Sequence, residues 1–431
     1  MKGKLALTAC AAALALAASS GAAFAGKAPS GAAAQTDSSD QAVDTTPSNA
    51  ELEQRIEALE QELQESEQRQ AAVNDKASDW ESKLQGWWDN TSISGRMYFD
   101  VSNIDHDSIN LDSGGNPVKT KLPDNGTNFD IKRFYISVDH KFDDTYSADI
   151  TTDVTYDSTT KASQIFIKKA YLQAKWFGDA AIVRFGSADM PWVPFVEGLY
   201  GYRYVENTLI DRTKFGTSAD WGVHILGKLA DGLFNYQLSA VNGAGYKVIP
   251  IGGGANRSKG IDIEGRANVN WEGFTLGAGF YTGKLGKDVE GVTTYHTANR
   301  WDAIAAYSGE GIRAGFEYFH ANDWNNVTTA PPNPTDDSEG WGPFVSYQFM
   351  PEFSVFGRYD YVTPNMNTAP KLHDNYYNFG VTWSPAKIVD FSIVYKHDQA
   401  SNGVIATSNG PIGGAVSGHY SEIGLFSQFQ W

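Results

Sequence analysis

Residues 190–217 combine many aromatic side chains with charges of both signs. Guanidinium, ammonium and carboxylate groups held near one another can bind ions and determine which ions pass a narrow opening. The aromatic content predicts that this segment packs against a wall, which makes it a candidate constriction; the alternative is an outer loop whose charges only face solvent. The charged residues of this segment are Glu197, Arg203, Glu206, Asp211, Arg212 and Lys214.

A second group of bases occurs in neighbouring segments with alternating polar and apolar residues. A series of such bases along a water-filled lumen could pass anions from one site to the next. Acids such as Asp149 and Asp153 share the same alternation, so opposite charges could instead pair across strands and hold the wall together. Both interpretations remain open. The predicted anion path consists of Arg133, Lys168, Lys169, Lys175 and Arg184.

Catalytic and metal-binding signatures are absent from the sequence. It contains no H-E-x-x-H, no G-x-S-x-G and no glycine loop that would cradle a phosphate ahead of a helix. The eight histidines are scattered without the spacing of metal ligands. We therefore predict no enzyme, no cofactor and no metal site. Two alternatives stay open: a hydrolase site assembled from loops, and calcium binding by the acid-rich stretches TYDSTT and PTDDSEG.

The elements that position these charges begin at Thr91, where the sequence takes on a period of two. In TSISGRMYFDV, Ile93, Met97 and Phe99 alternate with Ser94, Arg96 and Asp100. A charge at every second position would be costly inside a two-sided apolar core. The pattern indicates β-strands with lipid on one face and water on the other.

Short polar connections alternate with long loops rich in Gly, Asn, Asp and Pro. This alternation is typical of an up-and-down transmembrane β-barrel with short turns in the periplasm and long loops outside. Residues 91–431 are predicted to form an all-β antiparallel barrel of about sixteen strands. The predicted long loops are 106–127, 190–217, 245–259, 285–296, 323–338, 363–373 and 401–420.

The N-terminus has the features of a targeting segment. Lys2 and Lys4 precede a short apolar run, and Ala23-Phe24-Ala25 provides a cleavage site, so residues 1–25 are predicted to be a signal peptide. The stretch that ends in Cys10 is also similar to a lipoprotein signal, although its apolar run would be too short. Removing the two leader lysines changes the formal net charge from -17 to -19, which argues against a nucleic-acid partner.

Residues 26–50 are small and polar and are predicted to be a disordered linker. In residues 51–86 the apolar positions then alternate spacings of four and three, which predicts a periplasmic coiled-coil helix. Such a helix could assemble a homotrimer or space the membrane from the cell wall; the alternative is a single amphipathic helix lying on its own barrel. The seam positions are Leu52, Ile56, Leu59, Leu63, Ser66, Gln70, Val73, Ala77, Trp80 and Leu84.

The chain ends with IGLFSQFQW, in which apolar residues occupy most alternate positions up to Trp431. Terminal aromatic residues of this kind belong in the aromatic girdle at the membrane interface. Phe429 and Trp431 also resemble the C-terminal signal that the outer-membrane assembly machinery recognises, and Ser427 is the weak position. We expect contact with outer-membrane lipid and lipopolysaccharide.

The region from Val183 to Gly243 resembles the phosphate-selective porins of Gram-negative outer membranes. The resemblance implies a trimeric, sixteen-stranded channel for passive diffusion of small solutes. By the same resemblance, phosphate or other small anions are the first solutes to expect. In many members a lysine lies before the Pro-Phe, where this chain has Asp189 and no base. That departure favours the alternative of a general or cation-preferring porin. The matching residues are Gly186, Pro194-Phe195, Asp220-Trp221-Gly222-Val223, Gly227 and Asn242-Gly243.

Overall fold

The computed structural model of the chain describes residues 48–157, 162–247, 257–332 and 334–431. The predicted signal peptide 1–25 lies outside the described residues, as does the predicted linker up to residue 47. The chain divides into two units, with the boundary along the sequence between Ser78 and Asp79. No helix in the described ranges has both the length and the apolar character needed to cross a membrane.

Helix α1 (Asn49–Asp89) begins just before the predicted start at residue 51 and ends just after residue 86. The hydroxyl of Ser48 accepts a hydrogen bond from the Glu51 amide (3.3 Å), which satisfies one of the free N–H groups at the helix start. No residue of α1 is buried, so its apolar seam is open in the single chain.

Sixteen long strands lie within the described residues, which confirms the predicted antiparallel barrel. Two short strand segments, Pro117–Lys121 and Trp176–Asp179, accompany them. The barrel strands are β1 Thr91–Leu111, β2 Gly126–Lys141, β3 Tyr146–Asp157, β4 Ala162–Ala174, β5 Ile182–Asp189, β6 Ala219–Leu229, β7 Phe234–Val241, β8 Asp262–Trp271, β9 Phe274–Gly283, β10 Ala298–Gly309, β11 Ile312–Asn322, β12 Asp337–Met350, β13 Phe353–Thr363, β14 His373–Ala386, β15 Val389–Thr407 and β16 Gly410–Gln430.

Pairing between the first and last strands closes the sheet. The β1–β16 ladder is antiparallel and runs from Arg96 opposite Gln430 to Ile109 opposite Ser417. Beyond it, the backbone N–H and C=O groups of Trp431 bond to those of Gly95 at 3.1 and 3.2 Å. Closure therefore leaves neither terminal strand with an unpaired edge.

The two faces of each strand meet different surroundings, as the period of two predicted. Ile165 is 70 % exposed and Ile393 is 67 % exposed on the outer surface, while Asp100 and Glu264 are buried on the inner face. We call the end with the tight connections the short-turn end and the opposite end the long-loop end. Trp431 lies at the short-turn end, with its ring over Gly95.

Two of the predicted long loops contain strand structure. The prediction of a loop at 401–420 is wrong, because β15 and β16 continue as a ladder to Thr407 opposite Gly410. The Gly- and Ser-rich composition concealed this extension, in which Ile405 and Ile412 are buried. In 106–127, β1 continues to Leu111 and pairs with Pro117–Lys121.

Two β-bulges reverse the inward and outward alternation. On β2 the register shifts opposite Tyr98 and Phe99, which leaves Lys132 as the additional residue. On β4 it shifts opposite Thr151 and Thr152, which leaves Lys168 as the additional residue. A bulge adds one residue to one strand, so two consecutive side chains can face the same side.

Gly186 is predicted to be essential for barrel stability. Its φ of +129° is unfavourable for residues with a side chain, and an added Cβ would overlap the Ala170 carbonyl oxygen. We expect Gly186→Ala to lower the free energy of unfolding by about 1–3 kcal/mol, measured by guanidinium unfolding in detergent with tryptophan fluorescence. Gly357→Ala is the control, because its Cβ would have 3.6 Å of clearance. Equal midpoints for the two variants would contradict the prediction.

Candidate functional site

Residues 190–217 connect β5 to β6 and form what we call the inward segment. It contains helices α2 (Val193–Tyr200) and α3 (Leu209–Arg212). At its start, Trp192 is fully buried: its backbone N–H donates to Glu264 (3.0 Å) and its indole N–H donates to Glu317 (2.8 Å). Because Glu264 and Glu317 belong to β8 and β11, the segment packs against the inner wall of the barrel.

Aromatic contacts carry the inward segment to more distant strands. The ring of Tyr202 stacks on Phe356 of β13 with centroids 4.1 Å apart. The hydroxyl of Tyr204 lies 2.6 Å from that of Ser392 on β15. The segment therefore spans the lumen from β5 and β6 to β13 and β15, and it restricts the open cross-section.

Arg212 holds the inward segment to the wall. Its guanidinium group donates to Asp360 (2.9 Å), Asp374 (2.7 Å) and Asp398 (2.9 Å) on β13, β14 and β15. The same group lies 4.3 Å from the ring centre of Tyr376. The side chain of Arg212 is 0 % exposed, so its predicted part in ion selectivity gives way to an anchoring contact.

Glu206 is also buried and makes a second attachment. It accepts hydrogen bonds from Ser408 (2.7 Å) and Asn409 (3.1 Å) at the tip of the β15–β16 hairpin, and Lys396 lies 3.6 Å away. Burial alone would raise the pKa of Glu206. The nearby lysines, of which Lys396 has the largest effect, lower the pKa below its ordinary value. Glu206 is therefore a buried carboxylate that joins the segment, the wall and the hairpin.

The other predicted charges of the inward segment form a separate group. Arg203 lies 2.5 Å from Glu197 and 3.5 Å from Asp211, and all three side chains remain partly exposed. Lys214 is exposed, while its backbone carbonyl accepts a hydrogen bond from the Trp324 indole (3.1 Å). Only these four predicted residues of the segment are in a position to face water.

The bulges on β2 and β4 place pairs of bases on the inner wall. Lys132 lies 3.3 Å from Asp100, and its neighbour Arg133 lies 3.2 Å from Asp153. Strict alternation would turn one base of each pair toward the outside. The interruption of the period of two at Ile131-Lys132-Arg133 was the signal that could have identified Lys132, which the sequence-based prediction missed.

On β4, Lys168 and Lys169 have different partners. The Lys168 ammonium lies 4.7 Å from the ring centre of Tyr135 and 5.7 Å from that of Tyr246. Lys169 instead forms an ion pair with Asp189 (3.2 Å). Lys168 thus packs on aromatic rings and forms no ion pair with the described residues.

A cavity of about 740 Å³ lies beside the inward segment. Among the described residues, no carboxylate lies within 4.0 Å of the charged groups of Arg96, Lys168 or Arg313. These three bases give the cavity an excess of positive charge, since its two acids are paired. The charged residues that line it are Arg96, Lys168, Lys169, Arg203, Arg313, Asp189 and Glu197.

The last two bases of the predicted anion path lie elsewhere. Lys175 is exposed at the short-turn end, 3.2 Å from Asp179. Arg184 donates to Gln173 (2.9 Å) and packs on the ring of Tyr171. Neither base lines the cavity. Within the described ranges, no three His, Cys, Asp or Glu side chains form a group that could hold a metal ion.

Comparison with known proteins identifies the fold. No family model matches the chain, and a search of curated sequences finds no match. OmpT, an outer-membrane protein of Vibrio cholerae, aligns over 79 % of this chain and 97 % of its own, at 11 % identity and a TM-score of 0.53. An anion-selective porin from Comamonas acidovorans aligns over 79 % and 100 %, at 11 % identity and a TM-score of 0.53.

The outer membrane channel DcaP of Acinetobacter baumannii aligns over 79 % of this chain and 97 % of its own, at 12 % identity and a TM-score of 0.51. The barrel has the porin fold. At such low identity the comparison extends to the fold alone.

At the long-loop end, Asp336 joins two loops of the porin fold. Its carboxylate accepts hydrogen bonds from Asn365 (2.8 Å), the Asn367 amide (2.9 Å) and Thr368. Burial alone would raise the pKa of Asp336. These hydrogen bonds, of which the one from Thr368 has the largest effect, lower the pKa below its ordinary value. Asp336 therefore stabilises the loop after β13 in its ionised form.

The Asp336 contacts predict a loss of loop order in acid. Because the folded-state pKa is lowered, their stabilisation is complete above about pH 4 and is lost as the pH falls through that lower value. We expect hydrogen exchange of residues 364–370, corrected for intrinsic rates, to increase in that range. Asp336→Ala should show the increase already at neutral pH, whereas Asp112→Ala, at another loop tip, should not. An unchanged exchange rate in Asp336→Ala would contradict the prediction.

Proposed function

We propose that this protein is a passive diffusion channel of the Gram-negative outer membrane, with no enzymatic activity. The observation that carries the proposal is a closed barrel with apolar side chains exposed outside and charged side chains lining a cavity inside. The long-loop end faces the outside of the cell, in contact with lipopolysaccharide, and the short-turn end faces the periplasm. Small hydrophilic solutes pass beside the inward segment, and transport needs no cofactor.

Exposed aromatic residues at the short-turn end support this location. Such residues form girdles where a barrel meets the lipid headgroups. Trp431 is part of this band, with its ring 5.8 Å from Phe134, and we assign it and Phe429 as the signal for the assembly machinery. Exposed aromatic residues of the band are Phe142, Trp176, Phe177, Trp271, Phe274 and Trp431.

We further infer that the channel prefers anions. Arg96, Lys168 and Arg313 line the cavity without an ion pair among the described residues, which favours anions there, and phosphate is the first candidate because of the sequence resemblance. The structural neighbour from Comamonas acidovorans is described as anion-selective, which agrees with this preference. A general or cation-preferring porin is the alternative, because this chain has Asp189 and no base where many phosphate-selective porins have a lysine, and Asp189 also neutralises Lys169.

The exposed seam of α1 supports a second role in assembly. Leu59 is 63 % exposed and Val73 is 62 % exposed, so a water-facing apolar stripe runs along the helix. A three-helix coiled coil in the periplasm would cover this stripe and would tie three barrels into a homotrimer. A neighbour described as a trimer form, OmpT of Vibrio cholerae, agrees with this assembly. The helix could also space the membrane from the cell wall.

The reversal potential in a planar bilayer under a KCl gradient tests the anion preference. One charge at about 4 Å in water is worth about 1 kcal/mol, which corresponds to about fivefold in permeability ratio. We expect a chloride preference that falls by up to about fivefold in Lys168→Gln. Lys175→Gln is the matched control, because Lys175 is paired with Asp179 outside the cavity.

Inhibition of the chloride current by added phosphate would support phosphate as the solute. Cation preference in the unmodified channel would overturn the anion proposal and leave the alternative. An absence of any conductance would overturn the channel itself.

Deletion of residues 26–86 tests the assembly role. We expect the shortened chain to conduct with unchanged selectivity but to elute as a monomer, because the seam that joins the copies is gone. Size-exclusion chromatography with light scattering measures the oligomeric state. A shortened chain that remains trimeric would exclude the helix as the assembly device. A change in the distance between membrane and cell wall, measured by electron microscopy, would then assign it to spacing.

A further inference from the structure

The Arg212 anchor contains more carboxylate than guanidinium charge. Among the described residues, Arg358 is the only other base that contacts these carboxylates. It donates hydrogen bonds to both oxygens of Asp360, at 2.8 and 2.6 Å. Asp374 and Asp398 are therefore left to Arg212 alone. Two guanidinium groups face three carboxylates, so one carboxylate lacks a compensating cation.

No neighbouring base supplies the missing charge. The next base, Lys396, lies 3.0 Å from Glu422 and 3.6 Å from Glu206. With Lys132, which lies 3.8 Å from Glu422 and 3.3 Å from Asp100, it already faces three acids. The ring of Tyr376 covers one face of Arg212 and keeps water out. The other titratable groups that face the cluster are Arg358, Asp360, Glu206, Tyr200, Tyr376 and Lys396.

One oxygen on each of the two carboxyl groups has no partner. Oδ1 of Asp374 and Oδ1 of Asp398 are buried without a hydrogen bond among the residues described. The two side chains come from paired strands, and both bind the same guanidinium group, that of Arg212. Two buried carboxylates that share a site do not both ionise readily, because each charge destabilises the other. A single proton between them satisfies both oxygens and removes the excess charge.

We propose that Asp374 and Asp398 share one proton, and that Arg212 positions the inward segment only while that proton is bound. The protonated carboxyl donates to the ionised one, and both continue to accept hydrogen bonds from Arg212. When the pH is raised and the proton leaves to solvent, the buried cluster carries an uncompensated negative charge that weakens the anchor.

Release of the anchor extends to the hairpin tip. The backbone carbonyl of Arg212 accepts a hydrogen bond from the Ser408 amide (2.8 Å), and Glu206 holds the side chains of Ser408 and Asn409. The inward segment and the tip of the β15–β16 hairpin therefore move together. Because this inference concerns the attachment of the segment, it holds whatever solute the barrel passes.

Thiol labelling measures release without depending on transport. Thr208 of the inward segment is buried, so in Thr208→Cys the thiol becomes accessible only when the segment detaches. Thr328→Cys, at an exposed loop position, corrects for the greater thiolate fraction at high pH. We expect the ratio of the two maleimide labelling rates to rise about tenfold per pH unit as the shared proton dissociates, within the range in which the barrel stays folded.

Neutral variants identify the proton. In a Thr208→Cys background, Asp374→Asn or Asp398→Asn should keep the ratio flat, because two carboxylates then face two guanidinium groups at every pH. In Asp390→Asn, a control on β15 near the short-turn end, the labelling ratio should rise with pH as it does in the parent. Heat-sensitive electrophoretic mobility shows that each barrel is folded, and Asp398→Asn decides the outcome if Asp374→Asn does not fold. A flat ratio in the parent, or an equal rise in both neutral variants, would overturn the proposal.

Discussion

The hydrogen-bonded closure between β1 and β16 is the constraint on which the rest of the structure depends. A β-sheet in lipid has no water to satisfy its edge groups, so it must be continuous around the barrel. Once the ladder from Arg96 to Ile109 is paired with β16, every strand has two neighbours and two distinct faces. The apolar exterior and the charged interior both follow from that closure.

The closed wall supplies positions at which charge can be buried. The inward segment is too short to form a core alone, and it gains order by inserting aromatic side chains and a guanidinium group among wall residues. Removing an ionised group from water is costly unless paired charges and hydrogen bonds replace the water. Arg212 meets that requirement with carboxylates from three consecutive strands. The position of the segment in the lumen is thus determined by the wall as much as by the segment itself.

Much of the fold could be predicted because a period of two is a local property. The strand alternation, the short turns and the C-terminal aromatic residues each depend on a few neighbouring positions, and together they indicate sixteen strands. The β15–β16 extension was missed because its small and polar residues are typical of loops. It forms a ladder because Ile405 and Ile412 bury their side chains there.

The candidate site was harder to predict because its contacts are distant in sequence. Arg212 is 148, 162 and 186 residues away from its three acidic partners. No local pattern separates such an anchor from a residue that faces the pore, so Arg212 and Lys214 looked equivalent. The sequence also placed Lys168 beside Lys169 but could not show that only Lys169 is paired.

The bulges on β2 and β4 have a consequence for how the lumen charge of this barrel can change over time. On β4 the outward residues are Ile165 and Ile167 before the bulge and Leu172 after it, so the extra residue is absorbed within one strand. Insertion of a single codon at such a point adds a base to the interior and leaves the lipid-facing side chains on both sides in place. Loss of that codon would withdraw the base equally cleanly. A barrel of this kind can therefore gain or lose internal charge through small insertions and deletions, a route that is closed to strands packed between two apolar layers.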